Sequence, residues 1–194
     1  MTRVNGVFLA VALLVLLLVR CARRQETFRF HKLLAVGVGF LGAAGYLGYL
    51  WLKTGDIQAW QHAQTLGWGR ETVAPWTSLT NTITAFQTVA DPFQRAQWAI
   101  DIAAVTLCLF AAGYMAYHRY WAELTLTIIT VLVLASNASY LSIMRNTLTI
   151  FPLFVIGGVI LARRREWITS MVLTLSGVWM IGTTALFTLT KWVG

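Results

Sequence analysis

Apolar runs long enough to cross a lipid bilayer recur along nearly the whole chain. A helix needs about 20 mostly apolar residues to span the hydrocarbon. Because lipid offers no hydrogen bonds to the backbone, such runs must be helical. With 58% hydrophobic and 11% charged residues, the sequence predicts an all-α integral membrane protein with a single domain over residues 1–194. The six predicted crossings are Val4–Val19, Leu33–Leu52, Trp98–Tyr117, Leu124–Ala138, Thr147–Ala162 and Trp167–Leu189.

The positions of the cations predict the orientation of these crossings. Lys and Arg concentrate in cytoplasmic connections of membrane proteins, and here they follow the first, third and fifth crossings. Both termini and the 54–95 loop are therefore predicted to be extracytoplasmic. The formal charge of +8 is read as this topology signal, and no nucleic-acid partner is predicted. The cations that define the cytoplasmic side are Arg20, Arg23, Arg24, Arg29, Lys32, Arg119, Arg163, Arg164 and Arg165.

The polar 54–95 loop is predicted to contain two helices. Asp56 can cap the first, which opens at 57–59 and stops at the glycines beside Arg70. The second follows Pro75 and is predicted to lie along the membrane surface on its apolar face. The residues of that face are Leu79, Ile83, Phe86 and Ala90.

The second crossing is rich in glycine, and small residues let helices approach closely in lipid. We therefore predict tight packing of this helix against a neighbour. Its glycines are Gly37, Gly39, Gly42, Gly45 and Gly48.

No nucleotide loop, zinc spacing or nucleophile elbow occurs in the sequence, and no catalytic residue or metal site is predicted. Arg70 and Arg145 flank the predicted outer surface, where two guanidinium groups can hold a phosphate in bidentate geometry. Asp56 and Asp101 are predicted polar supports, since an acidic group at membrane depth usually faces a cavity or a cation. The predicted sugar or lipid contacts are Trp60, His62, Gln64 and Trp68.

Simpler explanations exist for each of these residues. Interfacial arginines contact lipid headgroups, and interfacial tryptophans form an aromatic belt. His62 fits a hydrogen-bonded surface residue, and Asp101 can pair with Arg95. Asp101 alone also keeps a small transporter or channel component among the hypotheses.

Two groups of motifs resemble bacterial PIG-V-type mannosyltransferases of the GT-C class. Gly55–Gln64 reads G-D-I-Q-A-W-Q-H-A-Q, and Gly67–Arg70 reads G-W-G-R. These are similar to the family's G-D-P-x-A-F-x-x-A-Q and W-G-R. Ser142–Arg145 (S-I-M-R) and Phe151–Phe154 (F-P-L-F) are similar to its S-x-x-R-Y and F-P-L-F. The chain ending, from Ala185 to Val193, is also similar.

The resemblance implies a GT-C-like C-terminal half in the bacterial plasma membrane. It implies mannosyl transfer from a polyprenyl-phosphate sugar on the extracytoplasmic face. Membrane lipid is a further expected partner. The resemblance fixes no cofactor, and a divalent cation is compatible with this transfer reaction. Asn146 replaces the family's Tyr, and no Trp-Asp pair, the acidic motif of the family's N-terminal half, occurs in this sequence. We therefore expect a chain that is incomplete alone and needs a second membrane polypeptide. The alternative is a non-catalytic subunit or degenerate remnant that binds a lipid or another membrane protein.

Overall fold

The structure is all-helical over the residues it describes. The computed structural model describes residues 5–25, 30–68, 71–140 and 143–188. Within these ranges the helices are α1 (Asn5–Ala22), α2 (Phe30–Thr54), α3 (Ala59–Trp68), α4 (Pro75–Thr88), α5 (Pro92–Tyr117), α6 (Trp121–Ala135), α7 (Ile143–Thr147), α8 (Phe151–Ala162) and α9 (Glu166–Thr188).

Three of these helices, α2, α5 and α9, are long and apolar enough to cross a membrane, which suggests a membrane protein. Helices α1, α6 and α8 are apolar but shorter. The predicted all-α fold is thus confirmed for the described residues, and each predicted crossing coincides with an apolar helix.

The helices pack side by side, with α1 between α2 and α6, and α5 between α6 and the α4 and α7 segments. The main core lies where α5 and α6 meet the 140–153 segment, around Cys108, Val131 and Ile150. The apolar windows of α2 and α9 contain no buried residue. Outer faces of this kind suit lipid, because hydrocarbon tails are as apolar as leucine.

The segment predicted as one crossing from Thr147 is interrupted. Helix α7 ends at Thr147 and α8 begins at Phe151, with Pro152 in its first turn. Between them, Ile150 N donates to Thr147 O at 2.9 Å. The predicted crossing Thr147–Ala162 would place Pro152 inside a helix and bend it, and this expectation is wrong, because Pro152 lies at the start of α8. A proline in the first helical turn costs no helix hydrogen bond, because the backbone N–H of any other residue at that position would have no intrahelical acceptor.

Helix α4 packs on the protein through a different face from the one predicted to face the membrane. Ser78 and Thr82 are fully buried, and α4 contacts α5 and α6 through this side. Leu79 and Ile83 stay more than a third exposed. The small side chains allow close contact with the bundle, so the apolar side chains are left facing outward.

Candidate functional site

Asp101 holds the short helix that carries Arg145. It lies in the third turn of α5 and is 4% exposed. Its Oδ1 accepts a hydrogen bond from Met144 N at 2.8 Å. Backbone N–H groups in a first helical turn have no intrahelical acceptor, so the carboxylate satisfies one of them and fixes α7 against α5. The alternative partner, Arg95, instead donates from Nη2 to Val89 O at 2.7 Å.

Helix α4 holds the same segment from the other side. Thr82 Oγ1 accepts from Tyr140 N at 3.0 Å and donates to Ser78 O at 2.7 Å. Asn81 Nδ2 donates to Ala138 O at 2.9 Å. Thr82 and Asn81 thus each bond to a backbone group of the α6–α7 loop, more than fifty residues further along the chain. The sequence reasoning missed Thr82 and Asn81. The only signal for them was two polar positions on one helix.

The strand-like residues before α4 add a further attachment. Val73 N donates to Ser136 O at 2.8 Å, and Thr72 pairs with Asn137 as an isolated antiparallel bridge. The loop between α6 and α7 is therefore held by the 72–82 segment and by α5. Such bracing limits the backbone freedom of the described residues next to Arg145.

Arg145 itself is exposed on this fixed helix. Its guanidinium makes no hydrogen bond or ion pair within the described ranges. A guanidinium on an anchored backbone loses less freedom on binding an anion, which favours affinity. The arrangement can therefore hold an anionic oxygen, such as that of a phosphate.

A second polar pair lies on the loop at the start of α3. His62 Nδ1 lies 2.7 Å from Asp56 Oδ2, and Asp56 Oδ1 accepts from Gln58 N at 2.8 Å. This confirms Asp56 as the predicted helix cap, although α3 begins at Ala59 rather than at Ile57. The His62 side chain is 60% exposed. The carboxylate contact at Nδ1 orients this exposed imidazole ring.

The capping contacts change the acidity of Asp56. The Gln58 backbone N–H, and after it the His62 side chain, lower the pKa of this carboxyl below its ordinary value. We expect the contribution of the ionised cap to be complete above the unfolded-state pKa of about 3.9. It is lost as the pH falls through the lower folded-state pKa. The pH titration of the Asp56 carboxyl ¹³C shift measures this, and His62→Ala should raise the pKa only part of the way back, since the Gln58 bond remains.

The remaining predicted site residues are only partly described. Trp60 is 39% exposed on α3, and Gln64 is half-buried. Arg70 and the side chain of Trp68 lie outside the described residues. Helix α3 packs on α2, whereas α7 packs on α5, and no hydrogen bond or ion pair within the described ranges joins the Asp56–His62 pair to Arg145. The convergence of Arg70 with Arg145 therefore stays a prediction.

Metal ligands do not gather in the described part of the chain, where no group of three or more His, Cys, Asp or Glu side chains is placed to hold an ion. Cys108 is buried and Cys21 half-buried, and both are free thiols.

Comparison with known proteins gives no relative from which a function could be transferred. No protein-family model, no curated protein and no solved structure matches the chain.

Proposed function

We propose that this chain is a six-span membrane protein that binds the phosphate of a polyprenyl-phosphate-linked sugar on its extracytoplasmic side. It acts in mannosyl transfer as the C-terminal half of a PIG-V-like GT-C enzyme. A second membrane polypeptide supplies the acidic residue that acts as general base on the acceptor hydroxyl. The observation that carries the proposal is the exposed Arg145 on a helix fixed by the buried Asp101.

The orientation is supported by where the charges lie along α5. From Asp101 to the last residue of the helix, Tyr117, the rise is about 24 Å at 1.5 Å per residue. Arg119 follows at that far end, and Arg145 lies beside Asp101. The two arginines therefore lie toward opposite ends of α5, separated by most of a hydrocarbon thickness of about 30 Å.

The phosphate assignment rests on the chemistry of the guanidinium. Arginine binds phosphate oxygens through a planar fork of donors that lysine lacks. Membrane lipid provides the second contact, because Leu79, Ile83 and Trp76 are exposed apolar side chains on α4. An isoprenoid chain alongside α4 would place its phosphate at the level of the loop that α4 holds.

Replacing Arg145 tests the proposal directly. We expect Arg145→Ala to weaken binding of polyprenyl-phosphate mannose by tenfold or more, equal to about 1.4 kcal/mol, and Arg145→Lys to fall between. The measurement is equilibrium binding of radiolabelled donor to the detergent-solubilised protein. Lys53→Ala is the matched control, since Lys53 is another exposed cation on the same proposed side. Equal affinity of the wild type and Arg145→Ala would refute the assignment.

Mannose transfer distinguishes the proposed enzyme half from a non-catalytic lipid-binding subunit. The non-catalytic subunit is favoured by one observation: Asp101, which bonds to the residue next to Arg145, is buried and its carboxylate accepts from Met144 N. Transfer by the purified chain together with a co-expressed membrane polypeptide, and not by the chain alone, supports the enzyme half. Donor binding without transfer in either preparation supports the subunit.

A further inference from the structure

A basic cavity lies at the end of the bundle opposite Arg145. Its volume is about 170 Å³, and it lies between the end of α1 and the turn that joins α5 to α6. Arg20, Arg23 and Arg119 line it together with Glu123. Arg23 and Arg119 against the one carboxylate in the lining leave an excess of positive charge, which attracts an anion.

Both helix ends at this cavity place an arginine where glycine is usual. Arg24 has φ 56° and Arg119 has φ 61°. Around Arg24, Gln25 N bonds to Arg20 O and Arg24 N to Cys21 O, the hydrogen-bond pattern of a Schellman motif.

The end of α5 repeats this pattern. Tyr120 N bonds to Met115 O at 2.9 Å, and Arg119 N to Ala116 O at 3.1 Å. The left-handed conformation is unfavourable for a residue with a Cβ. A cytoplasmic excess of cations accounts for arginines in this connection but not for arginines at these two strained positions. Strained residues of this kind often mark functional sites.

An apolar cavity adjoins the basic one. It also has a volume of about 170 Å³ and lies between α5 and α8, with Phe151, Val155 and Val159 among its lining residues. Tyr120 and Glu123 line both cavities. A polar cavity and an apolar cavity that share two lining residues match a molecule with an anionic head and a hydrocarbon tail.

We infer that these two neighbouring cavities bind an anionic phospholipid, with its phosphate against Arg23 and Arg119 and part of an acyl chain between α5 and α8. Arginine binds phosphate through charge-assisted hydrogen bonds. Basic pockets between membrane helices on the cytoplasmic side are suited to anionic headgroups. The site is separate from the proposed donor site at Arg145, so either can fail without the other.

Lipid retention in native mass spectrometry tests this inference. The delipidated full chain is titrated with dioleoyl phosphatidylglycerol, with dioleoyl phosphatidylcholine and with inorganic phosphate. We expect phosphatidylglycerol to bind at least tenfold more tightly than phosphatidylcholine, and Arg119→Gln to weaken it about tenfold. Val155→Trp, which fills the apolar cavity, should weaken lipid binding without changing the affinity for inorganic phosphate.

Two variants separate the site from general charge and from misfolding. Arg164→Gln removes a cation from the α8–α9 connection, outside both cavities, and should retain the affinity of the wild type within about twofold. Arg119→Gly removes the side chain but suits the left-handed position, so it should remain folded and still lose lipid affinity. Equal losses in Arg164→Gln and Arg119→Gln, or full binding by Arg119→Gly, would overturn the site. Inorganic phosphate that binds as tightly as phosphatidylglycerol would overturn the assignment to a lipid.

Discussion

Replacing Asp101 by alanine is expected to destabilise the protein by about 2 kcal/mol and to weaken donor binding at Arg145. Met144 N loses an acceptor at 2.8 Å, and leaving a buried or part-buried donor unsatisfied costs about 1–3 kcal/mol. Because α7 then loses its hydrogen bond to α5, the position of Arg145 is held less firmly. Denaturant unfolding in detergent and equilibrium binding of the polyprenyl-phosphate sugar measure the two effects.

Two further substitutions identify the cause of this loss. Asp101→Asn keeps an oxygen acceptor for Met144 N and should therefore retain most of the stability and binding. Asp91→Ala is the matched control, because Asp91 Oδ1 also accepts a backbone N–H, from Phe93 at 3.2 Å, but at the start of α5. It should cost about 1 kcal/mol as a lost helix cap and leave donor binding unchanged. An Asp101→Ala protein that unfolds like the wild type would contradict the anchoring role.

The helices could be predicted because the signals that define them are local. The apolar run Leu33–Leu52 appears as α2, Phe30–Thr54, and Asp91 and Pro92 start α5 as cap and first residue. Length, apolar composition and capping residues act within a few positions, so the sequence alone contains them. The ends differ by a few residues, since terminal turns depend on the packing around them.

The packing of α4 could not be predicted in the same way. Its pattern of Leu79 and Ile83 indicated an apolar face, yet the buried face is that of Ser78 and Thr82. Thr82 bonds to Tyr140 N, which is 58 residues away. Which polar residue finds such a partner depends on the tertiary arrangement, and hydrophobic periodicity does not contain that information. The break in the helix before Phe151 was also unpredictable from local sequence, because the packing of the core around Ile150 determines where the helix restarts.

The candidate site was predictable residue by residue but not as an arrangement. Arg145, Asp101 and Asp56 were identified by residue type and position. The partners of the two acids, Met144 N and His62, follow from backbone geometry. The arginines at Arg24 and Arg119 gave no sequence signal at all, since a helix end of this shape is usually recognised by its glycine.

Adding a side chain at Gly39 is expected to separate α1 from α2. A Cβ at this position would lie 2.9 Å from Ala10 Cβ, closer than two methyl carbons can approach. Ala10 is 3% exposed, so it has little room to move. Overpacking of this kind costs about 1–3 kcal/mol. We expect Gly39→Ala to lower the free energy of unfolding by about 1 kcal/mol and Gly39→Leu by about 3 kcal/mol.

The other glycines of α2 supply the control that separates packing from helix propensity. A Cβ at Gly37 or Gly45 meets nothing within 4 Å, and alanine is favoured over glycine inside helices by about 0.5–1 kcal/mol. Gly37→Ala should therefore stabilise the protein while Gly39→Ala destabilises it. In the Gly39→Ala background, Ala10→Gly removes the opposing methyl group, so a double-mutant cycle should give a favourable coupling. If both alanine variants change stability in the same direction and the cycle shows no coupling, Gly39 does not set the distance between these helices, and α2 must be held to α1 by contacts elsewhere along the pair.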